Sequence, residues 1–151
     1  MRHEWSSLSH MQIGRYAEQL TAMQFVLLGL DVFAAVIDDR GIDFVIRQQD
    51  GRYWDVQVKS VRARNYLYMR KEVFVIRPNL LLALTLFEDG CEPDHYLIPS
   101  TRWETPDTVF TDKDYEGLAS APEYGLNPSR KALPVLEPFR FERAAREVFG
   151  L

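Results

Sequence analysis

Between Ile13 and Leu28 the apolar positions recur at three- and four-residue intervals, the spacing of a helix with one buried stripe. Ser9 with Gln12 three positions later forms a capping box at its start, and Gly29 suits the left-handed position that ends it. The stripe expected to meet the core is Ile13, Tyr16, Ala17, Leu20, Met23, Leu27 and Leu28. Glu18 lies off that stripe, flanked one turn away by the small residues Gly14 and Ala22. Beyond Gly29 the period shortens to β-branched and aromatic runs divided by polar turns, which predicts strands over 31–36, 42–48, 52–60, 66–69, 80–87 and 95–98. Asp38, Asp39, Arg40 and Gly41 form the turn before the second of these. The run 80–87 is apolar without alternation, as a central strand covered on both faces is. Residues 105–134, rich in Pro, Gly, Asp and Ser, are expected to be irregular covering structure, and 139–149 a terminal helix with Pro138 near its first turn. Helix, three strands, a mixed segment, two strands and a helix predict an α/β layer around a central mixed sheet flanked by helices.

Two of these strands break their own pattern. Asp43 lies near the start of the second, and Gln57 and Lys59 punctuate the third, each where a buried strand should be apolar. Side chains alternate along a strand, so Gln57 and Lys59 share one face while Val56 and Val58 take the other. Asp43 joins the first pair only in one hairpin register. A two-residue Asp50-Gly51 turn would set Asp43 opposite Val58. A three-residue loop of Gln49, Asp50 and a left-handed Gly51 sets Gln48 opposite Arg52 and Asp43 opposite Gln57. The Gly at the third position favours the second arrangement.

In that register two oxygen donors and an ammonium converge. Hard oxygens suit Mg²⁺ (or Mn²⁺), which keeps several of its waters. Asp43 would bind through its carboxylate, Gln57 through its amide oxygen and Val58 through its backbone carbonyl. Glu18, on the helix packed against this sheet, would contribute directly or through water. Lys59 would hold or deprotonate an attacking water. Singly, each residue has a plainer reading: Asp43 as a turn cap, Lys59 snorkelling at a strand end, Glu18 as a solvated helix residue.

Composition narrows the setting. At 151 residues the chain is long enough for one good core and is expected to be one domain, with 46 % hydrophobic and 26 % charged residues arguing against disorder. A net charge of −4 excludes a bulk nucleic-acid coat but not an enzyme with one basic patch. No apolar run is long enough for a membrane helix, and Met1 to Trp5 has no apolar leader character. A single cysteine, Cys91, excludes an internal disulfide and fits a cytoplasmic location; His3, His10 and His95 show no zinc spacing.

Glu18 on the first helix, Gly41-Ile42-Asp43 on a strand and Gln57-Val58-Lys59 on the next resemble the PD-(D/E)XK nuclease superfamily, in the branch that writes Q-x-K. Restriction-endonuclease-like proteins and Holliday-junction resolvases are similar in this core. The words Asp39-Arg40-Gly41-Ile42-Asp43, Val56-Gln57-Val58-Lys59-Ser60 and Tyr96-Leu97-Ile98-Pro99-Ser100 also resemble small bacterial domains of the superfamily. The likeness covers residues 9–100. It implies a restriction-endonuclease-like fold and a metal-dependent phosphodiester hydrolase, a DNA endonuclease, with Asp43, Gln57 and Glu18 at the metal and Lys59 catalytic. Gln57 removes a charge that most members have, so the alternative is a catalytically degenerate binding or regulatory module, as one subunit of a nucleic-acid-processing or defence assembly. A homodimer is compatible with either.

Residues 59–71 hold Lys59, Arg62, Arg64, Arg70 and Lys71 and no acid, interleaved with Tyr66 and Tyr68. Two readings fit equally: Arg62, Arg64, Tyr66, Arg70 and Lys71 as DNA contacts, or a charged strand that protects a sheet edge. Trp5, Trp54 and Trp103 are expected to be packing residues, Trp54 on the face away from the site.

Overall fold

The computed structural model describes residues 3–37 and 39–151; Met1, Arg2 and the Asp38 of the expected polar turn lie outside the described residues. A long helix, α1 (His10–Leu27), is followed by β1 (Asp31–Ala34), β2 (Phe44–Arg47), β3 (Tyr53–Arg62), β4 (Leu67–Arg70), β5 (Leu80–Phe87) and β6 (Asp94–Pro99). Then come β7 (Phe110–Lys113), β8 (Glu123–Leu126), the single-turn α2 (Leu133–Leu136) and α3 (Phe141–Phe149). Five strands form a mixed sheet in the order β1-β2-β3-β5-β6, with β3 and β5 parallel and the other pairs antiparallel. The remaining three form a second, antiparallel sheet in the order β4-β8-β7.

β5 is buried along its whole length, which explains its unbroken apolar run. Leu81 and Ala83 face the helices, packing with Val56, Ile46, Phe25 of α1 and Ala145 of α3. Leu80, Leu82 and Leu84 face the other way, against Met69, Leu126, Phe110 and Trp103. One face of the main sheet is thus covered by helices, as expected, and the other by the small sheet.

The capping box holds: Gln12 N–H donates to Ser9 Oγ at 3.2 Å and Ser9 N–H to Gln12 Oε1 at 2.8 Å. The helix ends at Leu27, with Gly29 left-handed at φ +77°. Its buried face, however, runs through Ile13, Ala17, Thr21, Ala22 and Phe25, leaving Tyr16, Met23 and Leu27 exposed. Apolar residues flank the buried stripe on both sides, and Thr21, whose hydroxyl pairs with His95 Nε2 at 3.1 Å, disguised its centre. Residues 105–134 are also not simply irregular, since they supply β7 and β8. These four-residue strands carry almost no local signal; β8 forms on the ladder that β4 offers, and β7 on β8.

Candidate functional site

The β2–β3 pairing sets Phe44 opposite Val56 and Arg47 opposite Tyr53. Gln48 N–H bonds the Arg52 carbonyl at 2.9 Å, Gly51 N–H the Gln48 carbonyl at 2.9 Å, and Gly51 is left-handed at φ +88°. This is the three-residue loop, and its paired register runs as far as Phe44 opposite Val56. Trp54 lies on the helical face, edge-on to Phe149.

At Asp43 the two strands part. Asp43 N–H still reaches the Val56 carbonyl at 2.9 Å, but its carboxylate Oδ2 accepts the Val58 N–H at 2.6 Å, where a ladder carbonyl would otherwise sit. β3 continues to Arg62, overrunning β2. The N–H and C=O of one strand residue point to the same side. The Val58 carbonyl therefore faces the same open edge as the Asp43 carboxylate.

Gln57 is 7 % exposed. Gly41 (φ +68°) passes so close that a β-carbon there would lie 3.1 Å from Gln57 Nε2. Its left-handed backbone favours glycine, and a β-carbon there would also press on the end of the Gln57 side chain.

Lys59 opens into a cleft of about 710 Å³ between β3 and β4, walled also by His10, Gly14, Gln57, Ser60, Arg62, Asn65, Tyr66, Tyr68 and Arg70. Among the described residues Lys59 forms no ion pair. Arg62 Nη1 donates to the Leu8 carbonyl at 2.7 Å, and Arg70 is exposed beside Glu72 at 3.8 Å. Tyr66 donates a short hydrogen bond to Glu123 and sits 3.2 Å from Thr111 Oγ1; burial and the Glu123 carboxylate push its hydroxyl up to about 12. Lys113 stacks on its ring at 4.5 Å.

Three expected residues sit apart. Glu18 is paired with Arg15 at 2.7 Å and does not line the cleft, although His10 and Gly14 of the same helix do. Arg64 (φ +56°) turns away to Glu88 at 3.6 Å and Asp94 at 3.4 Å, with its side chain only 15 % exposed. Lys71 is bound between Asp112 and Asp114 and lies over Tyr124. Burial works against its charge, but the two carboxylates outweigh that and hold its ammonium above the ordinary value. The basic run 59–71 is thus divided: Lys59, Arg62 and Arg70 face the cleft, while Arg64 and Lys71 are neutralised by acids that only folding brings near. Conversely, His10, Asn65 and Tyr68 belong to the cleft wall, and Thr111 and Glu123 brace it from a region with no readable signal.

Among the described residues no three Asp, Glu, His or Cys side chains gather closely enough to hold a metal ion. Asp55, on the cleft-side face of β3, is tied to Arg77 at 2.6 Å. The donors at the parted strands are oxygens: one carboxylate, one amide and one backbone carbonyl. That set fits a hard cation that keeps much of its hydration shell, and fits a softer metal poorly.

The fold has solved counterparts. It superposes on Hjc, a Holliday junction resolvase from Archaeoglobus fulgidus, with a TM-score of 0.55 over 91 % of this chain and 95 % of that one, at 11 % identity. The fold is restriction-endonuclease-like. A bacterial homing endonuclease aligns over 93 % of this chain and 99 % of its own, at 20 % identity and a TM-score of 0.47. No protein-family model and no curated protein matches the chain. No helix among the described residues is long and apolar enough to cross a membrane.

Proposed function

We propose that this chain is a Mg²⁺-dependent phosphodiester hydrolase acting on DNA. The observation that carries the reading is the conjunction at the parted strands. The Asp43 carboxylate and Val58 carbonyl share an open edge, Gln57 lies alongside, and Lys59 forms no ion pair among the described residues in a cleft walled by arginines and tyrosines. Asp43, Gln57 and the Val58 carbonyl would hold the cation, which would supply Lewis-acid charge stabilisation at a phosphodiester. Lys59 would orient the attacking water and take up or share its proton. Arg62 and Arg70 would contact phosphates, with Tyr66 and Tyr68 offering faces to bases or sugars. Glu18, bound to Arg15, is left outside the ligand set.

The likeness to a resolvase supports the fold, and the activity is inferred from the site. Incubation of plasmid and branched or linear oligonucleotides with the protein and Mg²⁺ or Mn²⁺ tests it. Cleavage should appear with the wild type and vanish with Lys59→Ala. Equal cleavage by both would mean a contaminating nuclease and end the proposal.

One observation favours a second reading. Gln57 stands where an acid would complete the ligand set, and no three metal-ligating side chains gather among the described residues. A binding module that kept the cleft and lost the chemistry would look the same. Calorimetric titration with Mn²⁺ separates the two: no heat at millimolar metal favours the module.

A further inference from the structure

β3 and β4 are joined like a hairpin, and yet they part. Ala63 and Arg64, both left-handed at φ +53° and +56°, form the kind of two-residue turn that zips its flanking strands together. Asn65 N–H reaches the Arg62 carbonyl at 3.4 Å, but beyond it β4 leaves to pair with β8. The cleft is the gap so opened, and every residue of 57–62 and of 66–70 lines it.

The backbone groups along the β3 side of this gap follow from the pairing. Asp55 N–H bonds the Asn79 carbonyl at 2.8 Å, so the odd residues of β3 turn toward β5. Val56 accepts from Asp43, and Val58 donates to it, so the even residues turn the other way. Past Val56 no strand among the described residues pairs with that side. The Val58 carbonyl, both backbone groups of Ser60 and the Arg62 N–H therefore form an open ladder, ~17 Å long from Val58 to Arg62. Donors alternate with acceptors along it. A nucleic-acid backbone brings acceptors alone and would leave the Val58 and Ser60 carbonyls unmet, whereas an extended peptide supplies both partners.

We propose that the open edge of β3 accepts an extended acidic segment of a partner protein, added as an antiparallel strand in the line that β2 leaves at Asp43. The charge of the cleft selects the partner: its lining includes Lys59, Arg62 and Arg70 and no Asp or Glu. The two faces of the added strand meet different walls. Lys59 lies opposite Leu84 of β5, on the side of the small sheet, and shares that side with Tyr68 and Arg70. Val58 and Ser60 lie on the side of α1, beside Gly14, where a β-carbon would meet nothing within 4 Å. Acidic side chains therefore point toward Lys59 and Arg70, and the residues between them lie over Gly14. Directly opposed residues share a face, so it is the residues over Gly14 whose backbone bonds β3. A strand held there covers the Val58 carbonyl and shuts the cleft; that consequence rests on the hydrolase reading, and the binding does not.

Fluorescence anisotropy of the full chain with a labelled peptide of alternating valine and glutamate tests it. The peptide should bind, and its lysine-for-glutamate counterpart should bind at least about tenfold more weakly. N-methylation of the valine amides should abolish binding, while N-methylation of the glutamate amides should leave it intact, because one set alone faces β3. Gly14→Phe fills the space beside Ser60 and should weaken binding about tenfold with unchanged circular dichroism. No binding at millimolar peptide overturns the proposal. So does equal loss from both methylated sets or loss from the glutamate set alone, the first meaning that charge holds the peptide without a ladder. A Gly14→Phe protein that binds as before overturns it too, as does a single-stranded oligonucleotide that binds where the peptide does not. The peptide titrations contain neither metal nor nucleic acid, so their failure leaves the Lys59→Ala cleavage test untouched.

Discussion

The cleft wall rests on a glycine whose replacement has a calculable cost. Gly125 lies in the middle strand of the small sheet, opposite Tyr68 on β4 and Thr111 on β7. Its backbone is not left-handed, so alanine is conformationally acceptable there. The obstacle is steric. A β-carbon would lie 2.5 Å from Thr111 Oγ1, and closer still to the Tyr66 hydroxyl and ring, far inside any non-bonded contact. In Gly125→Ala the Tyr66 ring must leave, which breaks its bonds to Glu123 and Thr111 and strips a partner from a carboxylate that is buried. Losing a hydrogen bond to a charged group costs ~1.5–3 kcal/mol and residual overpacking ~1–3 kcal/mol. The expected loss is ~3–5 kcal/mol, or a fall of roughly 10 °C or more in Tm for a chain of this size. Calorimetric melting of wild type, Gly125→Ala, Tyr66→Ala and the double variant measures it. The double variant should melt near Tyr66→Ala alone, because the vacated ring leaves room for the methyl group. A Gly125→Ala protein that melts with the wild type, or a double variant in which the two losses simply add, would refute the reasoning.

Further outcomes follow from other parts of the structure. His95 stacks on Phe141 at 4.1 Å, and burial pulls its imidazole down to about 3. Below pH ~6.5 the unfolded chain takes a proton that the folded chain refuses, so stability should fall with pH from ~6.5 toward 3, by ~1.4 kcal/mol per unit. Denaturant melts at pH 7 and 5 should differ by up to ~2 kcal/mol, and His95→Gln should shrink that difference. Asp43→Ala should cost the metal-free protein ~1.5–3 kcal/mol through the orphaned Val58 N–H, whereas Asp43→Asn keeps an acceptor and most of the stability. Calorimetry with Mn²⁺ should find both unable to bind, which separates the structural duty of the carboxylate from the proposed ligand role. Ser9→Ala removes the α1 cap and should cost ~1 kcal/mol in the same melts.

Local chemistry alone determined much of this protein. The capping box at Ser9 and Gln12 and the left-handed Gly29 bound α1, because each depends on residues within one turn. The Gly51 loop set the β2–β3 register from Gln48–Arg52 to Phe44–Val56, since a hairpin's pairing follows from its turn; at Asp43 the ladder ends, and its carboxylate instead takes the Val58 N–H. The burial of 80–87 was legible for the same kind of reason: a strand apolar on both sides must be covered on both sides. Tertiary structure decided the rest. The strands at 110–113 and 123–126 have weak intrinsic preference; the second forms against β4 and the first against the second. The buried stripe of α1 was hidden by Thr21, whose polarity is tolerated only because His95 from β6 meets it. Arg64 and Lys71 look like Arg62 and Arg70 along the chain. Their charges differ in availability because Glu88, Asp94, Asp112 and Asp114, distant in sequence, reach two of the four. Periodicity and turn chemistry act over a few residues and can be read from one strand of text; the neutralisation of a charge depends on which remote groups the fold brings within a few ångströms of it.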